Sequence, residues 1–239
     1  FKLKILIPFV ALLLIISVGI TMLVGIMGAV TNNGRNDCGA VETTYSTGDS
    51  TVSSADGSID DFVKKHKEAY ILSWKAGGFL PSASITQTMI ENGFNFTNPN
   101  GTSFWKAHNM GGVKTSSKSN FPVTLATYGE DSVDLSGTKP GANVGDGTGG
   151  AYTWFSSYDA GIVGKAEFMA HQTLYKGAIN NTEPREISKA IAQGGWASDP
   201  SAYETSLNNA YDTIGAKYKW LDEKAIKRYG KSPFVLLYC

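Results

Sequence analysis

The chain has 239 residues, with 21 basic and 21 acidic side chains and a formal charge of zero at pH 7. With no basic excess or stripe, it is not expected to bind nucleic acid. Cys38 and Cys239 are too few for a disulfide framework, and His66, His108 and His171 are scattered without ligand spacing, so neither a metal site nor a cofactor is expected.

Ile5 to Val30 is uncharged and strongly apolar over about 26 residues, more than the roughly 20 that cross a bilayer as a helix. The reading is one transmembrane anchor occupying residues 1–30. A secretory signal has a shorter apolar core, of about 7 to 15 residues. Lys2 and Lys4 flank its amino end, which keeps that end in the cytoplasm and puts the rest of the chain outside, as in a single-pass protein of the cell membrane. Residues 31–57 are rich in Gly, Ser, Thr and Asn, the composition of a flexible polar stalk.

Ser58 with Asp61 three residues on resembles a capping box. Ile59, Phe62, Val63, His66, Tyr70 and Trp74 then recur at helical spacing, which predicts one core-facing helix ending at Gly77-Gly78. Pro81 opens a second helix that stops at Asn92-Gly93. From Gly111 to Gly150 helical periodicity is lost, and β-prone pieces such as Val123 to Tyr128 predict a small, loop-rich β lobe. Within it, Gly141 to Gly150 is either a flap or a plain exposed loop. Helices return over Asp159–Tyr175, Pro184–Gln193 and Pro200–Tyr218, the last behind an Asp199 cap, with Tyr203, Leu207, Ala210, Tyr211, Ile214 and Tyr218 as a core stripe. These elements give an α+β, lysozyme-like domain over residues 58–220. Residues 221–239 are read as a linker or the start of a further domain.

One carboxylate sits where chemistry is plausible. Glu91 ends the Pro81 helix, beside a wall formed by Ile85, Met89, Ile90 and Phe94. Free Glu titrates near roughly 4.3, and apolar seating lifts such an acid to about 6, as it does for the catalytic acid of lysozyme. An acid still protonated near neutrality can protonate the leaving oxygen of a glycosidic bond. From this segment alone, Glu91 is either that acid or an ordinary solvated helix-end carboxylate.

Four blocks in order carry a resemblance. Ser82-Ala-Ser-Ile-Thr-Gln-Thr-Met-Ile-Glu91-Asn-Gly-Phe94 resembles Ser-x-x-x-Ala-Gln-x-x-Leu-Glu-Ser-Gly-Trp, and Asn109-Met-Gly-Gly-Val-Lys114 resembles Asn-Leu-Phe-Gly-Ile-Lys. Phe155-Ser-Ser-Tyr158 resembles Phe-Arg-x-Tyr, and Gly195-Trp-Ala-Ser-Asp-Pro-Ser-Ala-Tyr203 resembles Gly-Tyr-Ala-Thr-Asp-Pro-x-Tyr-Ala. These are patterns of the glucosaminidase domains of glycoside hydrolase family 73, bacterial enzymes that cut peptidoglycan glycan strands. The resemblance implies that Glu91 is the catalytic acid. It implies a second carboxylate from the β lobe in a Thr-x-Glu context, for which Thr127-Tyr-Gly-Glu130 is the nearest match, with Asp131 and Asp134 behind Glu130. Three departures stand out: Thr86 replaces an Ala, Gly111 an aromatic, and Trp196 a tyrosine thought to help catalysis. Indole has an N–H donor but no acidic hydroxyl.

The partner so implied is the peptidoglycan strand. Asn109 is a candidate contact because its amide both donates to and accepts from an N-acetyl group. Tyr128, Trp154, Tyr158 and Trp196, with Trp105 and Tyr152, are either core or rings that cover sugar faces. A muramidase or lytic transglycosylase on the same fold, and a catalytically inactive wall-binding module, are the alternatives. The Asn109 block and the glycine-rich loop also resemble wall hydrolases of Gram-positive conjugative elements. That likeness implies local opening of the wall for transfer, alongside other conjugation or secretion proteins.

Overall fold

A computed structural model of the chain describes residues 58–94, 106–115, 117–142 and 150–235. The anchor expected over residues 1–30, the stalk to residue 57, Trp105 and most of the glycine-rich loop lie outside the described residues. Among the described residues no helix is long and apolar enough to cross a membrane.

The single helix expected from the Ser58 cap to Gly77-Gly78 is two, α1 (Ile59–Lys65) and α2 (Lys67–Gly77), joined at His66. Ser58 caps α1 by accepting from the Asp61 amide at 3.2 Å. The expected stripe is buried throughout: Phe62, Val63, Tyr70 and Trp74 are completely enclosed. His66 remains inside because its Nδ1 lies 2.7 Å from the Asp159 carboxylate. Gly78 then adopts the left-handed conformation that ends α2, and its N–H donates to Trp74 O. α3 (Pro81–Asn92) follows, with Pro at its first turn and a left-handed Gly93 at its end.

The expected β lobe is largely helical or irregular. Val123 to Tyr128, read as β-prone, lie in α4 (Pro122–Tyr128). Local propensity is overridden there by two features. Pro122 starts the helix, and the buried Glu167 carboxylate accepts from the Val123 amide at 2.6 Å and from the Thr124 amide at 2.9 Å. These are orphan donors of a helix start, satisfied from a distant part of the chain. Among the described residues of that lobe, a short antiparallel ladder remains, β1 (Val133–Asp134) against β2 (Trp154–Phe155), with Val133 opposite Phe155 and Asp134 opposite Trp154.

α5 (Tyr158–His171) forms the spine of the described fold, capped by Ser157 Oγ on the Ala160 amide at 3.2 Å. It lies so close to α2 that a Cβ on Gly77 would come within 2.1 Å of Ala166 O. A 3₁₀ segment, Thr173–Ala178, leads to α6 (Pro184–Gln193) and α7 (Pro200–Thr213), and Asp199 accepts from the Ala202 amide at 3.0 Å as the cap of α7. The expected Pro200–Tyr218 helix turns to 3₁₀ geometry over Gly215–Tyr218.

The chain after residue 220 is not linker-like over its described part. α8 (Lys219–Tyr229) packs on α2 and α3 with Leu221 and Ala225 fully buried, and Trp74 Nε1 donates to Gly230 O at 2.8 Å. Asp222 accepts from the Ser82 amide at 2.8 Å, which caps the start of α3 from α8. A mostly helical domain with one small two-stranded ladder is consistent with the α+β, lysozyme-like class.

Candidate active site

α3 delivers Glu91 in its last turn. Its inward positions from Pro81 to Thr88 are buried, with Ile85 at 0 %, whereas Met89 and Ile90 are half-buried. The close surroundings of Glu91 come from other elements. Tyr203 Oη, in the first turn of α7, donates to Glu91 Oε1 at 2.5 Å. Trp196 Nε1, between α6 and α7, donates to the same oxygen at 2.9 Å. The indole is held by Tyr175 at 5.3 Å and by the edge of Phe168 at 6.3 Å.

Burial dominates the titration of Glu91 and pushes its pKa up. The Tyr203 hydrogen bond, the charge of Lys165 and the Trp196 hydrogen bond oppose that rise without cancelling it. A position near the carboxyl end of a helix is also unfavourable for a negative charge. The residue as a whole is half-buried. Burial thus favours the protonated form of Glu91. Both donors engage Oε1, leaving Oε2 to carry that proton.

Trp196 is the aromatic from the expected set that meets Glu91, and it does so with its N–H edge. The missing tyrosine hydroxyl at this position is matched by the hydroxyl of Tyr203, which the sequence reading assigned to the core stripe. Gln87, one turn before Glu91 and fully buried, faces Tyr203, although its amide makes no hydrogen bond of ordinary geometry. A second residue the reading missed is Lys165. Fully buried in α5, its Nζ donates to Ser84 O at 3.1 Å and to Thr88 Oγ1 and Met110 O at 3.2 Å. A signal existed: Lys165 is a lone cation within Gly161-Ile-Val-Gly-Lys-Ala166, and charges in such runs are buried only with partners.

Asn109, expected as a substrate contact, is turned to the backbone in this arrangement. It is fully buried, its Nδ2 donates to Val113 O and Thr153 O at 2.9 Å each, and its Oδ1 accepts from the Val113 amide at 2.9 Å. Its amide shapes the 109–113 loop and ties it to the residue before β2. Tyr158 and Trp154 gather around His108, with ring centroids at 4.6 and 6.4 Å, and Lys139 Nζ stands 5.2 Å from the Trp154 centroid. Tyr128 is half-buried, its hydroxyl pushed up to about 12 by burial and then by the charge of Asp159. Glu130 lies in the Glu130–Ser132 turn with its side chain 82 % exposed, 3.9 Å from Lys118 Nζ, which also donates to the Glu130 carbonyl. Asp134 is occupied by Ser136, which holds its carboxyl below the usual range, and Asp131 is exposed.

A separate groove of about 300 Å³ between α6, α7 and α8 is lined by Glu183, Tyr211, Lys219 and Asp222, none of them a partner of Glu91. Among the described residues no group of three His, Cys, Asp or Glu side chains is placed to hold a metal.

A half-buried carboxylic acid whose pKa is raised, on a mostly helical scaffold consistent with the lysozyme-like class, suits a glycan-cleaving protein. The sequence model of the Glucosaminidase family, described as mannosyl-glycoprotein endo-beta-N-acetylglucosaminidase, matches residues 67–216, more than half of the chain, and the protein belongs to that family. Comparison with curated proteins and with solved structures gave no match. Membership supports a glycoside hydrolase acting on glycans, with a function of the peptidoglycan-hydrolase type.

Proposed function

We propose that this protein is a membrane-anchored peptidoglycan hydrolase of the endo-β-N-acetylglucosaminidase type, with Glu91 as general acid. The observation that carries the reading is the Glu91 carboxyl itself, raised in pKa by burial and held at Oε1 by Tyr203 and Trp196. In the reaction, Oε2 donates its proton to the glycosidic oxygen as the bond to the sugar lengthens. The resulting carboxylate is steadied by the same two donors, which a charged acceptor binds more strongly than a neutral one. Glu130 is assigned as the second carboxylate on the family pattern, and its exposure suits a group that meets water and substrate. Trp154, Tyr158 and the outer face of Trp196 are assigned to the glycan strand, with Tyr128 beside them.

Anchoring rests on the apolar Ile5–Val30 segment with Lys2 and Lys4 before it, which puts the catalytic domain outside the cytoplasm. Local opening of the wall during conjugative transfer, beside other conjugation or secretion proteins, is part of the same proposal and rests on the sequence likeness.

Mass spectrometry of digested peptidoglycan tests the chemistry. Wild type should release reducing N-acetylglucosamine ends, and Glu91→Gln should lose roughly 10²–10⁴-fold in rate. Anhydro-muramic products would instead identify a lytic transglycosylase, and an undiminished Glu91→Gln variant would remove Glu91 as the acid. Glu130→Gln belongs in the same assay: a comparable loss supports the second carboxylate, and an unchanged rate points to the substrate's own N-acetyl group.

A further inference from the structure

Lys165 is anchored unlike an ordinary core residue. Burying an ammonium costs several kcal/mol unless its donors and its charge are both answered. Its three donors reach Ser84 and Thr88 of α3 and Met110 of the following loop, so one side chain from α5 fastens the Glu91 helix to the 109–113 segment. Those acceptors are neutral and leave the charge itself to be matched.

The match lies across Gly111. A Cβ built there would stand 3.3 Å from both Cε and Nζ of Lys165 and 3.6 Å from Cγ of Glu91. The lysine head and the acid therefore border one opening, which exists because residue 111 has no side chain. An aromatic at this position, as in the family pattern, would fill that space and exclude the ammonium. The room left by Gly111 is taken in part by the head of Lys165.

We propose that Lys165 is a positioning residue for Glu91, its ammonium set behind the acid through the gap at Gly111, where it stabilises the carboxylate formed when the proton leaves. It thereby sets the upper pH limit of Glu91 as an acid. The inference rests on Glu91 being that acid. The groups facing Glu91 are Tyr203, Lys165 and Trp196, while Tyr175 feels its charge. Lys165 faces Glu91 and, at 5.8 Å, the Phe79 ring. Burial drives Lys165 down to about 7, and the charge of Glu91 opposes that fall, so the two groups titrate as partners. Each charge favours the other.

Two measurements test this. In protein labelled with ¹³Cε-lysine, the Lys165 signal should titrate about one pH unit or more lower in Glu91→Gln than in wild type, since a nearby opposite charge is worth about 1–3 units. Superimposable titrations would overturn the assignment. In folded Lys165→Met, the alkaline limb of wall cleavage should move to higher pH by a similar interval, and an unmoved limb would also overturn it. If Lys165→Met fails to fold, the lysine titration decides, because both of its arms keep Lys165. A wild-type protein that cleaves no wall would remove the catalytic reading while the titration still reports the pairing. An unmoved titration in an active enzyme would remove the Lys165 assignment alone.

Discussion

Tyr203 is the side chain on which the acidity of Glu91 turns most directly. A hydrogen bond to a charged acceptor contributes about 1.5–3 kcal/mol, and here the donor favours the carboxylate over the neutral acid. Removing the hydroxyl while keeping the ring, in Tyr203→Phe, takes away the largest force opposing the effect of burial. The pKa of Glu91 then rises, so the acid stays protonated to higher pH. The alkaline limb of the activity profile should shift upward by about one unit or more, with a lower maximal rate because the product carboxylate has lost a donor. A limb at the wild-type position, measured by turbidity clearing across pH, would assign Tyr203 to packing alone. Trp196 holds the same oxygen with a neutral N–H, and its ring is fixed by Tyr175 and Phe168. The loss of the family tyrosine at 196 is therefore divided between two side chains, one supplying an N–H and the other a hydroxyl.

Close approach, by backbone at Gly161 and by the Phe155 ring at Gly164, explains why α5 carries glycines where a helix would ordinarily prefer alanine. A Cβ on Gly161 would sit 1.9 Å from the carbonyl oxygen of His108, and no rotamer change relieves a collision with backbone. Gly161→Ala should cost about 1–3 kcal/mol through overpacking, against the roughly 1 kcal/mol that alanine adds in helix propensity. Urea unfolding should show a lower midpoint, and cleavage should fall because the displaced segment leads into the loop between Lys165 and Glu91. A midpoint at or above wild type would mean that the loop yields freely. The same contrast between local and distant causes governs how much the sequence reveals. Pro184–Gln193, Pro81–Asn92 and the Ser58 and Asp199 caps are legible because proline, glycine and capping residues act within one turn. α4 is not legible, because its first amides are satisfied by Glu167 from α5, which no window around Val123 contains. Most of α8 falls in the stretch read as a linker or the start of a further domain, because its inward side is thin and the burial of Leu221 and Ala225 comes from its packing against distant parts of the chain, α2 and α3 among them. In the site, Glu91 is marked by its motif. Tyr203 and Lys165 act across the fold and are spaced like core residues.

α8 also couples the far end of the domain to the Glu91 helix through Asp222. This carboxylate, 8 % exposed, caps the start of α3 at Ser82, and burial pushes it up to about 7 although the Ser82 hydrogen bonds oppose the rise. Its folded pKa therefore lies above the unfolded value of roughly 3.9, so the native state holds a proton that the unfolded chain has released. The sign follows. Stability from this group is fully present below about pH 4 and is lost as pH rises toward 7, at up to about 1.4 kcal/mol per unit. Exposed pairs such as Arg185–Asp212, at 2.7 Å, add little to this dependence. Asp222→Asn keeps an oxygen acceptor for the Ser82 amide but has no proton to lose. Its unfolding free energy, measured in urea at pH 4, 5, 6 and 7, should gain on wild type at each step. Glu91 and Glu167 are raised in the same direction and are present in both proteins, so their shares cancel in the difference. Curves that stay parallel from pH 4 to 7 would mean that Asp222 is ionised in the folded protein, and that α8 holds the Glu91 helix by a charge at its amino end and not by a neutral buried acid.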